Sequence, residues 1–278
     1  MIKSIINGEL TSVISVQDRA FNFGDGVFET IAVNNKKLQF WVEHYRRLIH
    51  GCELLGITVP SEKKLLNDIK QLEIDNGQYV LKIIVSRGSS GRGYVADSVI
   101  TPTVVVTLNS WPDNIHDKRA KGVESRLCHH RLVINPALAG IKHLNRIDQV
   151  IARNEWHNND IAEGIMLDHN NNLIEGTASN LFVKIKNHWQ TAAEQDCAVA
   201  GVIRAFVLAR FADSNMSCVE RKINRTELSS VQEMFVCNSV WGILPVTQCD
   251  NYELPVGNDT LELQKEFVQQ LDRRSYVI

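Results

Sequence analysis

The chain has 278 residues, which at about 150 residues per domain suggests two domains. Lys plus Arg number 30 and Asp plus Glu 32, so the net charge is −2, a poor match for a nucleic-acid binder. Hydrophobic residues make up 44% and charged residues 22%, which excludes a disordered chain, and no run approaches the roughly 18 apolar residues of a membrane span.

The opening MIKSIINGELTS has no apolar core with a small-residue cleavage site, so no signal peptide is expected. The six cysteines, Cys52, Cys128, Cys197, Cys218, Cys237 and Cys249, form no CxxC pair. They read as scattered reduced thiols of a cytoplasmic protein.

In chain order, Ile2, Ile5 and Ile6 run into Asn7-Gly8, a hairpin signal. Val27 to Val33 reads as a strand, Asn34-Asn35 as a turn, and Leu38 to Trp41 as a second strand. Leu48, Cys52 and Leu55 share one face of a helix that Gly56 would cap. Ser61 would start another helix, burying Leu65, Ile69 and Leu72. Tyr79 to Ser86 and Thr103 to Leu108 are further strands. Residues 109–121, NSWPDNIHDKRAK, carry a proline and no periodic apolar face. An interdomain linker is therefore expected at 113–121, between domains at 1–112 and 122–278. Beyond it come a helix from about Asn145 to Trp156 and a hairpin of Gly164 to Leu167 with Leu173 to Glu175. A strand at Leu181 to Ile185 and a helix at Val202 to Phe211 follow. Val219 to Ile223 and Glu233 to Cys237 read as strands, and Asp259 to Leu271 as a final helix. Strands and hairpins beside a few helices give an α+β fold of two domains.

Several segments can carry chemistry. In NPALAGIKHLNRIDQV, residues 135–150, Lys142 ends an apolar run. A lysine among apolar groups loses preference for its ammonium form and gains nucleophilicity, as a Schiff-base lysine needs; otherwise it is one more solvated cation. In EGTASNLF, Glu175 stands at a strand end before small residues that permit a tight turn. A carboxylate buried there needs a cation or a good donor, and a structural arginine would serve as well as a ligand. In His44-Tyr45-Arg46-Arg47-Leu48 an arginine fork suits phosphate, or simply faces water. Gly201 leads into Val202, Ile203 and Arg204, where free backbone N–H groups make an anion site. Ser239 follows a strand end and offers a hydroxyl. The loop SRGSSGRGY could carry Arg87 or Arg92 to a carboxylate, or be a plain surface loop. Cys128-His129-His130 does not suit a metal, because neighbours on a strand face opposite sides, and no metal site is expected. No GxSxG elbow occurs.

Taken in order, FGDGVFET, HxxRL, IKHLNR, ExxxxNLF, AGVIR and CNS with a following PV resemble the class IV pyridoxal-phosphate enzymes of fold type IV. The likeness runs from about Ile6 to Val246. That family holds branched-chain and D-amino acid aminotransferases and 4-amino-4-deoxychorismate lyases. The resemblance implies a smaller N-terminal α/β domain and a larger C-terminal domain with a β-barrel-like core. It implies that Lys142 forms the Schiff base with pyridoxal 5'-phosphate and that Glu175 pairs with the pyridinium nitrogen. Arg47 would bind the phosphate with the N–H groups of Val202 and Ile203 and the Ser239 hydroxyl. GRGY and GIKHLNR are most similar to the lyase branch, which implies a step toward 4-aminobenzoate and folate. Thr30 would then act near the reacting centre, and Arg92 and Tyr94 would hold a carboxylate of 4-amino-4-deoxychorismate. Phe28 stands where similar D-amino acid aminotransferases place a tyrosine, and KHLNR replaces the Gly-rich run of the branched-chain enzymes. Gln190-Thr191-Ala192 departs from the Thr-Pro of many relatives. The family resemblance further implies a homodimer with the site near the subunit interface. With Arg47 and the loop in the first expected domain and Lys142 and Glu175 in the second, the site is expected in the cleft between them; charge and the lack of long apolar runs argue against a nucleic-acid or membrane partner. An aminotransferase of the same family is the alternative activity. A non-enzymatic metabolite-binding protein and a metal hydrolase at His129-His130 are the alternatives from other classes.

Overall fold

The computed structural model describes residues 3–133, 135–158, 160–196, 199–214 and 216–278. The expectations for Ile2 and Cys197 lie outside the described residues. The chain divides into two compact units. One comprises Met1–Pro112, Ile141–Asn145 and Leu271–Ile278; the other comprises Asp113–Gly140 and Arg146–Gln270.

The first unit contains β1 (Lys3–Ile6), β2 (Glu9–Leu10), α1 (Arg19–Phe23), β3 (Gly26–Asn34), β4 (Lys37–Gln39), α2 (Trp41–Leu55), α3 (Glu62–Lys70), β5 (Gln78–Ser86) and β6 (Thr103–Ser110). A last strand at Ser275–Val277 pairs with β4, and the sheet order is that strand, β4, β3, β5, β6, β1, β2. Alternation along β3 sends Val27, Ile31 and Val33 into a core with Leu48 and Cys52 of α2 and Leu65 and Ile69 of α3. Gly56 ends α2 in the left-handed region at φ 64°, and the Ser61 hydroxyl caps α3 by accepting from Lys64 N–H at 3.3 Å.

The second unit contains α4 (Ile115–Lys121), β7 (Val123–Leu132), α5 (Ile147–Arg153), β8 (Ile161–Asp168), β9 (Asn172–Gly176), β10 (Asn180–Ile185), β11 (His188–Thr191), α6 (Val202–Asp213), β12 (Cys218–Glu220), β13 (Ile223–Asn224), β14 (Val231–Asn238), β15 (Gly242–Cys249), β16 (Tyr252–Glu253) and α7 (Asn258–Leu271). β10, β14, β15, β7, β8 and β9 run side by side, and β9 pairs back to β10 at Glu175 and Asn180. The sheet thus closes into a barrel. Leu181, Val183, Leu167, Val236, Leu244 and Val246 fill its core. On the alternate positions, the Phe182 and Phe235 rings stack at 4.9 Å, and Phe211 of α6 packs on Phe182 and Trp189.

Two local expectations change, and two strands are added. Trp41 begins α2 rather than ending a strand, because Phe40 takes a left-handed φ of 53° and breaks the extended run. Residues Ile115–Lys121 of the expected linker are helical. That helix has little apolar stripe; it is held by Arg119, which donates to the carbonyls of Trp241 at 2.6 Å and Val240 at 3.1 Å. The strands at Gly242–Cys249 and Ser275–Val277 had no sequence signal strong enough to mark them, since their register comes from distant partners.

Gly26 sits where β3 presses on β5: a Cβ there would lie 2.5 Å from the Val85 carbonyl oxygen. Backbone cannot yield cheaply, so Gly26→Ala should lower stability by about 1–3 kcal/mol in chemical denaturation. A variant as stable as the parent would refute this close approach.

Candidate functional site

The candidate residues fall into two sets, one in each unit. In the first, Ile141–Asn145 lies against the start of β3. The Phe28 N–H donates to the Lys142 carbonyl at 3.0 Å, the Leu144 N–H donates to the Gly26 carbonyl at 2.9 Å, and Val27 bridges His143. This pairing sets the Lys142 ammonium 4.5 Å from the centre of the Phe28 ring. Thr30 lies two residues along β3, on the Phe28 face, opposite Lys82 of β5. Lys82 is a residue that sequence reading missed: its ammonium stands 5.1 Å from the same ring. Its signal was one cation inside an otherwise apolar strand.

The other face of β3 carries Glu29, 1% exposed. His44 and Arg47, three residues apart on α2, both reach it. His44 Nδ1 lies 2.6 Å from Glu29 Oε2; Arg47 donates through Nε to Oε1 at 2.8 Å and through Nη2 to Oε2 at 2.6 Å. Burial alone would raise the Glu29 pKa, but the Arg47 charge and hydrogen bonds, with His44, bring it down to about 2. His44 is lowered, first by burial, against the pull of Glu29 and reinforced by the charges of Arg47 and Lys142. Arg47 is therefore held as a fork with fixed direction, through a partner that sequence reading did not single out.

The loop after β5 separates its two arginines. Arg87 is spent on structure, donating to Asp25 and to the carbonyls of Leu55 at 2.6 Å and Gly56 at 2.8 Å. Arg92 is exposed and Tyr94 is 86% exposed.

In the second unit Glu175 ends β9, 4% exposed, and its Oε2 accepts from the Val199 N–H at 2.8 Å. The turn behind it is tied to Glu163, which sequence reading also missed. That carboxyl accepts from Thr177 N–H at 3.0 Å, Thr177 Oγ1 at 2.5 Å, Ala178 N–H at 3.2 Å, Ser179 Oγ at 2.7 Å and its neighbour Gly164 N–H at 2.9 Å. Asn180 then donates to the Val199 carbonyl at 2.9 Å. At the start of α6, Gly201 is the N-cap and supplies no side-chain cap, which leaves the N–H groups of Val202 and Ile203 to meet an incoming acceptor. A Cβ on Gly201 would stand 1.8 Å from Asn180 Oδ1, so the approach needs glycine. The first turn of α6 is fixed by buried Arg204, which donates to Glu194 at 2.8 Å, Glu220 at 2.5 Å and the Ala192 carbonyl at 2.9 Å. Ser239 stands in the turn after β14. Asn238 shapes that turn, accepting from Val240 and Trp241 N–H groups and donating to the Ala178 carbonyl at 3.0 Å.

The His129 and His130 N–H groups both donate to Glu155, and the His130 ring pairs with Asp148 at 2.7 Å. Among the described residues no three metal-ligating side chains gather.

The amino-transferase class IV family model matches residues 26–249, most of the chain. Aminodeoxychorismate lyase from Vibrio harveyi is 32% identical over 263 residues, 93% of this chain and 97% of that one. D-alanine aminotransferase from Bacillus licheniformis is 26% identical, covering 92% of this chain and 91% of that one. The crystal structure of 4-amino-4-deoxychorismate lyase from Pseudomonas aeruginosa superposes with a TM-score of 0.92 at 34% identity, covering 97% of this chain and 99% of that one.

The Glu29 cluster makes stability depend on acid. A carboxyl whose pKa falls from 4.5 to about 2 on folding stabilises fully above 4.5, and the contribution disappears as pH drops toward 2. His44, lowered from 6.5, favours folding above that value and loses its contribution below it. Urea titrations should show the parent more stable than Glu29→Gln by roughly 3 kcal/mol at neutral pH, with the gap closing below pH 4.5. A gap independent of pH would contradict the ion pairing.

Proposed function

Because the chain belongs to the class IV amino-transferase family, we propose that it is a pyridoxal 5'-phosphate lyase that converts 4-amino-4-deoxychorismate to 4-aminobenzoate and pyruvate. The observation that carries this reading is the likeness, over nearly the whole chain, to two enzymes with that name at 32% and 34% identity.

The residues fit the cofactor. A phosphate is suited by the start of α6, where Gly201 places no side chain before the first-turn N–H groups, by the Ser239 hydroxyl and by the Arg47 guanidinium, which Glu29 holds through Nε and Nη2. Glu175, buried and oriented by Val199, suits a protonated pyridine nitrogen. Lys142 presents its amine at the Phe28 ring and would carry the cofactor. When bound, pyridoxal 5'-phosphate supplies the electron sink for charge developing at the amine-bearing carbon of the substrate.

The chain's own groups then have distinct tasks. Lys142 takes the proton from the amine-bearing carbon. The C–H bond at that carbon and the C–O bond to the enolpyruvyl group both break, the ring becomes aromatic, and the leaving group departs with the C–O electron pair as enolpyruvate, which takes up the proton removed from the ring carbon and becomes pyruvate. Thr30, on the Phe28 face of β3, positions the leaving group or its proton. Arg92 and Tyr94 hold a carboxylate, and Lys82 adds a cation on the Thr30 side of the sheet. Phe28 gives that face an apolar ring. An aminotransferase would use the same Lys142 and Glu175.

The protein acts in the cytoplasm as a homodimer in this reading. No helix of the described residues is long and apolar enough to cross a membrane. Leu10, Val13, Val16 and Phe21 of the first unit are each at least 69% exposed, apolar side chains that a second copy would cover.

With purified holoenzyme, 4-aminobenzoate and pyruvate should form from 4-amino-4-deoxychorismate far faster than D-alanine or leucine is transaminated. Lys142→Ala should abolish that turnover. The reverse ranking of substrates would make the protein an aminotransferase.

A further inference from the structure

We propose that Arg19 is a positioning residue: its buried guanidinium holds the tip of the loop at residues 90–94 and so sets how Arg92 and Tyr94 meet substrate. This rests on the reading of that loop as a carboxylate-binding element.

The Arg19 side chain is 5% exposed and every edge of its fork is engaged. Nε donates to Asp25 Oδ2 at 2.8 Å; Nη1 donates to Ser90 Oγ and the Gly93 carbonyl, each at 3.1 Å; Nη2 donates to the Tyr94 carbonyl at 2.7 Å. The guanidinium also lies 4.9 Å from the centre of the Phe23 ring, which in turn packs on the Tyr94 ring at 5.5 Å. The stem of the loop is fastened separately. Arg19 N–H donates to the Gly88 carbonyl at 2.9 Å, Asp18 bridges Ser89, and Ser86 Oγ donates to Asp18 Oδ2 at 3.0 Å.

The tip has no such redundancy. Among the described residues, the side-chain hydrogen bonds that join 90–94 to another part of the chain all come from Arg19. Gly91 and Gly93 have open space where a Cβ would stand, and Tyr94 is 86% exposed, so packing does little to fix the tip. Three acceptors spread over five residues need a planar fork of donors; a lysine could reach one of them. The charge is balanced by Asp25, which also pairs with Arg87 at 2.7 Å and so keeps a partner if Arg19 is replaced. The arrangement makes loop shape, and with it substrate affinity, depend on one side chain that does not itself touch substrate.

Limited trypsin digestion of the holoenzyme reads the loop directly, through cleavage after Arg92. Losing two of three hydrogen bonds in Arg19→Lys should speed that cleavage about tenfold or more at an essentially unchanged melting temperature. The KM for 4-amino-4-deoxychorismate should rise about tenfold while kcat stays within roughly threefold. Arg19→Gln should behave alike, and Arg92→Ala separates the two ways of failing. If Arg92→Ala leaves KM unchanged, the loop does not bind substrate and the proposal falls with that reading. If Arg92→Ala raises KM but neither Arg19 variant speeds cleavage or raises KM, Arg19 does not position the loop.

Discussion

Two backbone hydrogen bonds hold the Lys142 segment, on which the proposed site of the first unit depends: Phe28 N–H to the Lys142 carbonyl and Leu144 N–H to the Gly26 carbonyl. They attach a five-residue segment, distant in sequence, to the edge of β3 and fix which way its lysine projects. Strand pairing has a side-chain period of two, so a slip by one residue would turn Lys142 away from Phe28. The tight contact of Gly26 with β5 and of Gly51 with Val27 leaves little freedom for such a slip. The face on which the Lys142 side chain leaves the backbone is therefore set by main-chain geometry.

Within each unit, buried polar networks hold side chains in fixed directions. Glu29 orients Arg47 and His44 in the first unit, and Asp25 joins Arg19 to Arg87. In the second unit Glu163 gathers the turn after Glu175, and Arg204 gathers the start of α6. Burying charge is costly unless the group is paired and hydrogen-bonded. Glu29, Asp25 and Arg204 face opposite charges, whereas Glu163 has neutral donors and burial raises its pKa. The return is directional: the groups assigned to the cofactor and substrate stand next to residues whose own rotamers cannot wander.

Much of this was legible in the sequence. Alternation along Val27 to Val33, the Leu48, Cys52 and Leu55 face and the Ser61 cap are local signals, and they appear as strand, helix and cap. The family likeness of HxxRL, IKHLNR, ExxxxNLF and AGVIR named the segments of the proposed site. What escaped was non-local. The helix at Ile115–Lys121 depends on carbonyls of Val240 and Trp241, and the strand at Ser275–Val277 depends on β4. Glu29, Lys82, Glu163 and Arg19 read as ordinary charges until the fold brings their partners to them. Arg87 and Arg92, five residues apart in one loop, were indistinguishable until one was seen to be consumed by Asp25 and two carbonyls.

The central claim is that Lys142 is the residue that carries the cofactor. Incubation with pyridoxal 5'-phosphate, reduction with borohydride and peptide mass spectrometry test it directly. A phosphopyridoxyl group on the peptide containing Lys142, absent in Lys142→Ala, is the predicted result. No stable label, or a label on Lys82 in place of Lys142, would contradict the account.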